Sequence, residues 1–137
     1  MSMYTYEHKL RVRYGETDQM GVVYHGNYPL YFEEARSEMM RNLAVPYAEL
    51  EKIGVIMPVV DMHIRYMKPA HYDEVLTVKV QVVKLPTVRI ICRYEVINEQ
   101  GVLLTEAETT LAFISKETGR PVIVPEAWLS KLRPYFE

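Results

Sequence analysis

The residues from Gly15 to Arg36, GETDQMGVVYHGNYPLYFEEAR, set a carboxylate at Asp18 and an imidazole at His25 among glycines, just ahead of a run with helical spacing. A carboxylate attacks an activated carbonyl or draws a proton from water. The first turn of a helix presents backbone N–H groups without intrahelical acceptors, together with a partial positive charge. Donors of that kind stabilise an oxyanion as it develops. Gly21 and Gly26 allow close backbone approach, and His25 offers its backbone N–H, its side chain, or both. An acid and an anion site at such short range suit acyl transfer or hydrolysis. Each residue also has a plainer role: Asp18 as the organiser of a turn, His25 as a surface or capping histidine, Glu33 and Glu34 as solvated helix acids. The residues alone leave hydrolysis as one reading among several.

Those residues need a strand before them and a helix after. From Tyr4 to Tyr14 the chain alternates, with Tyr4, Tyr6, His8, Leu10, Val12 and Tyr14 on one face and charged residues on the other. Period two predicts a half-buried strand. From Tyr28 to Leu43 the period changes: Tyr28, Tyr31, Phe32, Ala35, Met39 and Leu43 recur at helical spacing. Asn27 reads as the N-cap and Pro29 falls in the first turn, where proline is tolerated. After Gly54 the pattern is β: Val55–Met67, interrupted or edged by Pro58, then Val75–Val83, Val88–Ile97 and Val102–Ile114, with a short helix over Pro125–Leu132. Strands joined by short turns pair antiparallel. One long helix with one antiparallel sheet is an α+β layout, in which the sheet curls around the helix. Its edge strands need covering, and a second copy of the chain would cover one.

The 137 residues read as a single domain, 1–137. A net charge of −2 speaks against general nucleic-acid binding. The single cysteine, Cys92, sits in the apolar run VRIICRYEVI and reads as a buried thiol. Nothing in MSMYTYEHKL resembles a signal-peptide core, and no apolar run reaches the roughly 18 residues of a membrane span, so a cytoplasmic protein is the expectation. The four histidines lack metal-ligand spacing such as H-E-x-x-H, and no glycine-rich phosphate loop is present. Neither a metal nor a cofactor is expected.

The stretch YGETDQMGVVYHGNYPLYFEEAR resembles the signature of the 4-hydroxybenzoyl-CoA thioesterase family, and more narrowly the acyl-CoA thioesterases associated with the bacterial Tol-Pal cluster. The matching positions are Asp18, Gly21, Tyr24-His25 and Asn27-Tyr28. Two later stretches are similar to the family as well: MHIRYMKPAHYDEVLTV, with Lys68-Pro69 and Asp73, and VLLTEAETTLAFISKETGRPVIVP. The resemblance implies the hotdog fold, a curved antiparallel sheet around one long helix. It also implies a homodimer, assembling to a homotetramer, with sites at the subunit interface. The implied reaction is hydrolysis of an acyl-CoA thioester, with acyl-carrier-protein thioesters or non-catalytic acyl-ligand binding as alternatives. It makes Asp18 the catalytic carboxylate and the His25 backbone N–H the oxyanion donor, with the His25 side chain a second catalytic candidate. Tyr14 and Tyr24 are implied to line the site beside Asn27 and Tyr28. The acyl pocket is expected from Tyr28, Tyr31, Phe32, Met57, Val59 and Met62. A second hotdog lineage carries its acid on the helix about two turns after the oxyanion residue, which makes Glu33 and Glu34 alternative acids. Arg65, Lys68, Lys84, Arg89 and Arg93 are candidates to meet the phosphates of coenzyme A.

Overall fold

A computed structural model describes residues 3–137. Seven strands and three α-helices follow one another as β1 (Tyr4–Arg11), α1 (Tyr28–Asn42), α2 (Tyr47–Lys52), β2 (Val55–Ile56), β3 (Val59–Tyr66), β4 (Val75–Val82), β5 (Arg89–Ile97), β6 (Leu103–Ala112), β7 (Ile114–Ser115) and α3 (Glu126–Leu132). Five strands form one antiparallel sheet in the order β1-β4-β5-β6-β3, and β2 pairs with β7 in a small second sheet.

The sheet closes on α1 because the two elements bury complementary apolar faces. Phe32, Ala35 and Met39 stand on one stripe of α1 and are fully buried. They meet the inward residues of β4 and β5, namely Leu76, Val78, Val80, Val82, Cys92, Tyr94 and Val96, none more than 1% exposed. Phe32 stacks on Tyr94 with ring centroids 4.6 Å apart. Burying each such large side chain contributes about 1.5–3 kcal/mol. The outer face carries cross-strand ion pairs instead: Arg93–Glu108 at 3.0 Å, Arg65–Glu106 at 3.5 Å and Lys79–Glu95 at 4.0 Å. Solvated pairs of this kind contribute little stability.

Three boundaries differ from the sequence expectation. β1 stops at Arg11, before Tyr14, although Val12 still exchanges bonds with the segment ahead of β4 (Val12 N–H to Glu74 O, Asp73 N–H to Val12 O). The chain then turns because the Glu16 carboxylate caps the Arg13 N–H at 2.8 Å, which leaves Tyr14 78% exposed. The expected Val102–Ile114 strand splits at Phe113, whose N–H bonds Val88 O, and its tail pairs with β2. Asn27 does not cap α1 with its side chain: its backbone is already helical, and its Nδ2 donates to Glu16 O at 2.8 Å. A short 3-10 turn, His25–Asn27, enters the helix in place of a side-chain cap.

The edge strand β3 is unusually apolar. Val59, Val60 and Tyr66 are 42–47% exposed, and Met62 and Ile64 are only half-buried. Solvent-facing edges of soluble proteins are normally short, charged or covered.

Candidate active site

The loop between β1 and α1 is a small, tightly bonded hairpin. Thr17 and Val23 form an antiparallel bridge, and between them Asp18 N–H donates to Val22 O at 2.9 Å and Gly21 N–H to Asp18 O at 3.0 Å. Gly21 has φ +79°, a left-handed conformation that costs an L side chain about 1–2 kcal/mol. One carboxylate oxygen of Asp18 accepts the Met20 N–H at 2.8 Å, so the plainer turn role is genuine, while the other oxygen has no partner among the described residues. The hairpin is stitched to the segment after β3 by Val23 N–H to Ala70 O and by a Val22–His71 bridge.

Glu16 organises the way from this hairpin into the helix. Its carbonyl accepts both the Tyr24 N–H and the Asn27 side chain, and its carboxylate accepts the Tyr31 hydroxyl at 3.0 Å. The head of α1 is thereby held against the Asp18 loop. Neither the His25 nor the Gly26 N–H donates to an acceptor among the described residues. Both N–H groups lie in the 3-10 turn that leads into α1, where backbone donors lack intrahelical acceptors. A Cβ at Gly26 would meet the Tyr24 ring at 2.6 Å, so a side chain there would displace that exposed ring.

Asp18, His25, Tyr28, Tyr66 and Lys68 line one open cavity of about 300 Å³. Tyr66 was not singled out from sequence. Its hydroxyl donates to His25 O at 2.9 Å, which orients the peptide unit whose other end is the Gly26 N–H. The rings of Tyr24, His25, Tyr66 and Tyr28 form a chain with successive centroids at 4.5, 6.2 and 5.3 Å. Burial pushes the Tyr28 and Tyr66 phenols above their ordinary range, so both are neutral hydroxyls at physiological pH. The sequence cue for Tyr66 is that it ends β3 just before Lys68-Pro69, on the residues that face the Asp18 loop.

The remaining candidates lie elsewhere in this chain. Tyr14 packs edge-on against Tyr72 and does not line the cavity. Tyr31 and Phe32 are buried core residues. Met57 and Val59 line a different cavity, between α1 and β3, together with Glu33. Glu34 points to the opposite side of the helix and bonds the His8 imidazole at 2.5 Å. Among the basic candidates only Lys68 reaches the cavity; Arg65 and Arg93 are paired on the outer face of the sheet, and Lys84 and Arg89 border a separate cleft. His63 lies on the outer face, and His71 pairs with Glu74 at 3.0 Å. Cys92 is fully buried, and burial pushes its thiol up to about 11.

A five-stranded antiparallel sheet closed on one long helix is the architecture of hotdog thioesterases. The chain belongs to the thioesterase-like superfamily, whose sequence profile matches residues 12–132. Its relatives include a Bacillus subtilis protein, YneP, that carries an acyl-CoA thioesterase assignment, 36% identical over 88% of this chain and 87% of that protein. The acyl-CoA thioester hydrolase YbgC of Escherichia coli is 27% identical over 90% of this chain and 92% of its own length. Among solved structures, a DHNA-CoA thioesterase from Staphylococcus aureus matches with a TM-score of 0.87 at 38% identity, over 93% of this chain and 87% of that one. No helix among the described residues is long and apolar enough to cross a membrane.

Proposed function

We propose that this thioester hydrolase cleaves acyl-coenzyme A to a free acid and CoA, with Asp18 as the catalytic carboxylate. The observation that carries the reading is the shared cavity: Asp18, with one carboxylate oxygen unbonded, lines the same space as His25 at the helix head, where two N–H donors are open. The thioester carbonyl docks on the His25 and Gly26 N–H groups, which draw charge onto its oxygen. Asp18 then attacks the carbonyl carbon or removes a proton from an attacking water. The thiolate of CoA leaves; on the first route a mixed anhydride remains, which a water then hydrolyses to the free acid and Asp18, and on the second the added water gives the free acid directly. The His25 imidazole, exposed on the same lining, orients the substrate or passes a proton to the leaving sulfur in this reading. Lys68, exposed on the rim, meets the phosphates of CoA.

Assembly as a homodimer, and as a dimer of such dimers, belongs to the same reading. Its support is the apolar, unpaired edge of β3 beside the cavity. Kinship with the Tol-Pal-associated members rests on the motif from Asp18 to Tyr28.

Thiol release from a panel of acyl-CoAs, read for the wild type and Asp18→Asn, tests the activity and its acid together. No release at any acyl length sinks the hydrolase reading. Single-turnover hydrolysis in labelled water separates the two routes, because label entering Asp18 marks attack by the carboxylate itself.

A further inference from the structure

Glu16 engages every polar atom it has. Its N–H donates to Arg13 O at 3.0 Å, and its carbonyl accepts the Tyr24 N–H at 2.9 Å and the Asn27 side chain at 2.8 Å. Carboxylate Oε1 accepts the Arg13 N–H at 2.8 Å and the Tyr31 hydroxyl at 3.0 Å, and Oε2 accepts Arg13 Nε at 3.3 Å. The side chain is only 20% exposed. Glu16 does not line the Asp18 cavity; with Arg13 and Tyr31 it borders a separate cleft between β1 and α1. Its carboxylate therefore acts on the frame of the site and not on a substrate beside Asp18.

Two of these bonds grip the helix one turn apart. Asn27 and Tyr31 are four residues apart, on the same helical face. A helix held at one point can pivot; a second point one turn along fixes its rotation as well. Among the described residues, these are the only side-chain hydrogen bonds between residues 12–23 and residues 25–42, and both end on Glu16. The far side of the Asp18 hairpin is anchored elsewhere, on Ala70 and His71. The Tyr31 ring is 3% exposed and meets Tyr28 edge-on at 5.7 Å, and Tyr28 lines the Asp18 cavity. Burial, and then the bond to Glu16 and its charge, hold the Tyr31 phenol well above its ordinary range. A neutral hydroxyl thus donates to a carboxylate, a stronger bond than one between two neutral groups.

We infer that Glu16 is a positioning residue of the hydrolytic site, whose carboxylate, through Tyr31, sets the placement of Asp18 against the head of α1. This rests on the reading of Asp18 as the catalytic carboxylate. A misplacement of about 1 Å can cost on the order of a hundredfold in rate, so a pair that never meets the substrate carries a large share of kcat.

The test is steady-state kinetics on an acyl-CoA that the wild type cleaves, run well below the unfolding temperature of each variant. Tyr31→Phe removes only the hydroxyl and should lower kcat by about tenfold, and Glu16→Ala by about a hundredfold, with KM little changed. Glu16→Gln, whose side-chain oxygen still accepts, keeps most of the rate. The double variant Glu16→Ala with Tyr31→Phe should be no slower than Glu16→Ala, because the hydroxyl acts through that carboxylate. Arg13→Gln cuts only an exposed contact, keeps the backbone N–H, and should change kcat by no more than about twofold. A lowered Tm with unchanged kcat overturns the inference, since the role is then structural alone. So do effects of the two substitutions that multiply, or a loss carried by KM. Should Glu16→Ala not fold, Tyr31→Phe and Glu16→Gln carry the test. The amide signals of Asp18, Gly21, His25 and Gly26 in a nitrogen–proton correlation spectrum give a readout free of turnover. Tyr31→Phe should move them, although the Tyr31 hydroxyl bonds none of these residues; signals that stay in place overturn the inference. If they move while the wild type cleaves no acyl-CoA, the tie between loop and helix stands and the hydrolase reading alone fails.

Discussion

The two sides of the head of α1 both offer an acid, and the fold puts them to different uses. On the loop side, Asp18 and His25 line one open cavity, and the His25 and Gly26 N–H groups have no acceptor among the described residues. On the groove side, toward β3, Glu33 and Arg36 line a second cavity, with Arg36 bonded to the buried Tyr94 hydroxyl, while Glu34 is turned away and bonded to His8. Proximity to a helix head is thus a weak criterion for a catalytic acid. What distinguishes Asp18 is that it shares a cavity with donors that have no other partner. The proposed chemistry therefore lies on the loop side.

The strongest way to break that division is to remove each acid in turn. Asp18→Asn keeps the turn-forming oxygen and is expected to lower kcat by roughly a thousandfold, within the range of a lost acid–base or nucleophilic group. Glu33→Gln and Glu34→Gln should change kcat by no more than a few-fold. The reverse pattern would move the chemistry to the groove side. Tyr66→Phe comes next. It removes the hydrogen bond to His25 O and keeps the ring, so kcat should fall by about tenfold with KM little changed, the signature of an oriented donor set rather than of substrate binding. An equal effect on KM would place Tyr66 in binding instead.

The buried backing of the groove side is tested by pH. Burial raises Cys92 from 9.0 to about 11, and it raises Tyr94 further. A raised folded-state pKa means that the native protein holds its proton longer than the unfolded chain. The stabilisation is therefore complete below about pH 9 and lost as the pH climbs toward 11. Cys92→Val should flatten the fall of urea stability across that window by at most about 3 kcal/mol, the equivalent of two pKa units. An unchanged slope would mean that water reaches this layer. The smallest effect belongs to the far side of the helix: His8→Gln should cost no more than about 1 kcal/mol in urea unfolding, because Glu34 is half-exposed.

Alternation from Tyr4, the helical stripe from Tyr28, and the valine-rich strands determined an α+β chain with one helix inside a sheet, since a period of two or 3.6 residues dictates which face is buried. The same patterns named Phe32, Met39 and Cys92 as core. Glycine spacing around Asp18 and the polar turn at His25 were enough to mark an acid beside a helix head. Only tertiary structure decided what those residues do together. Tyr66 reaches His25 across 41 positions of sequence, Asn27 tethers Glu16 rather than capping its helix, and Tyr14 leaves the site because Glu16 turns the chain. Arg36 of α1 bonds the Tyr94 hydroxyl, which bonds Thr109, on strands far along the chain. Local periodicity determines which side of an element is buried. Which unlike side chains converge depends on strand register and on the hydrogen bonds that close the sheet around the helix.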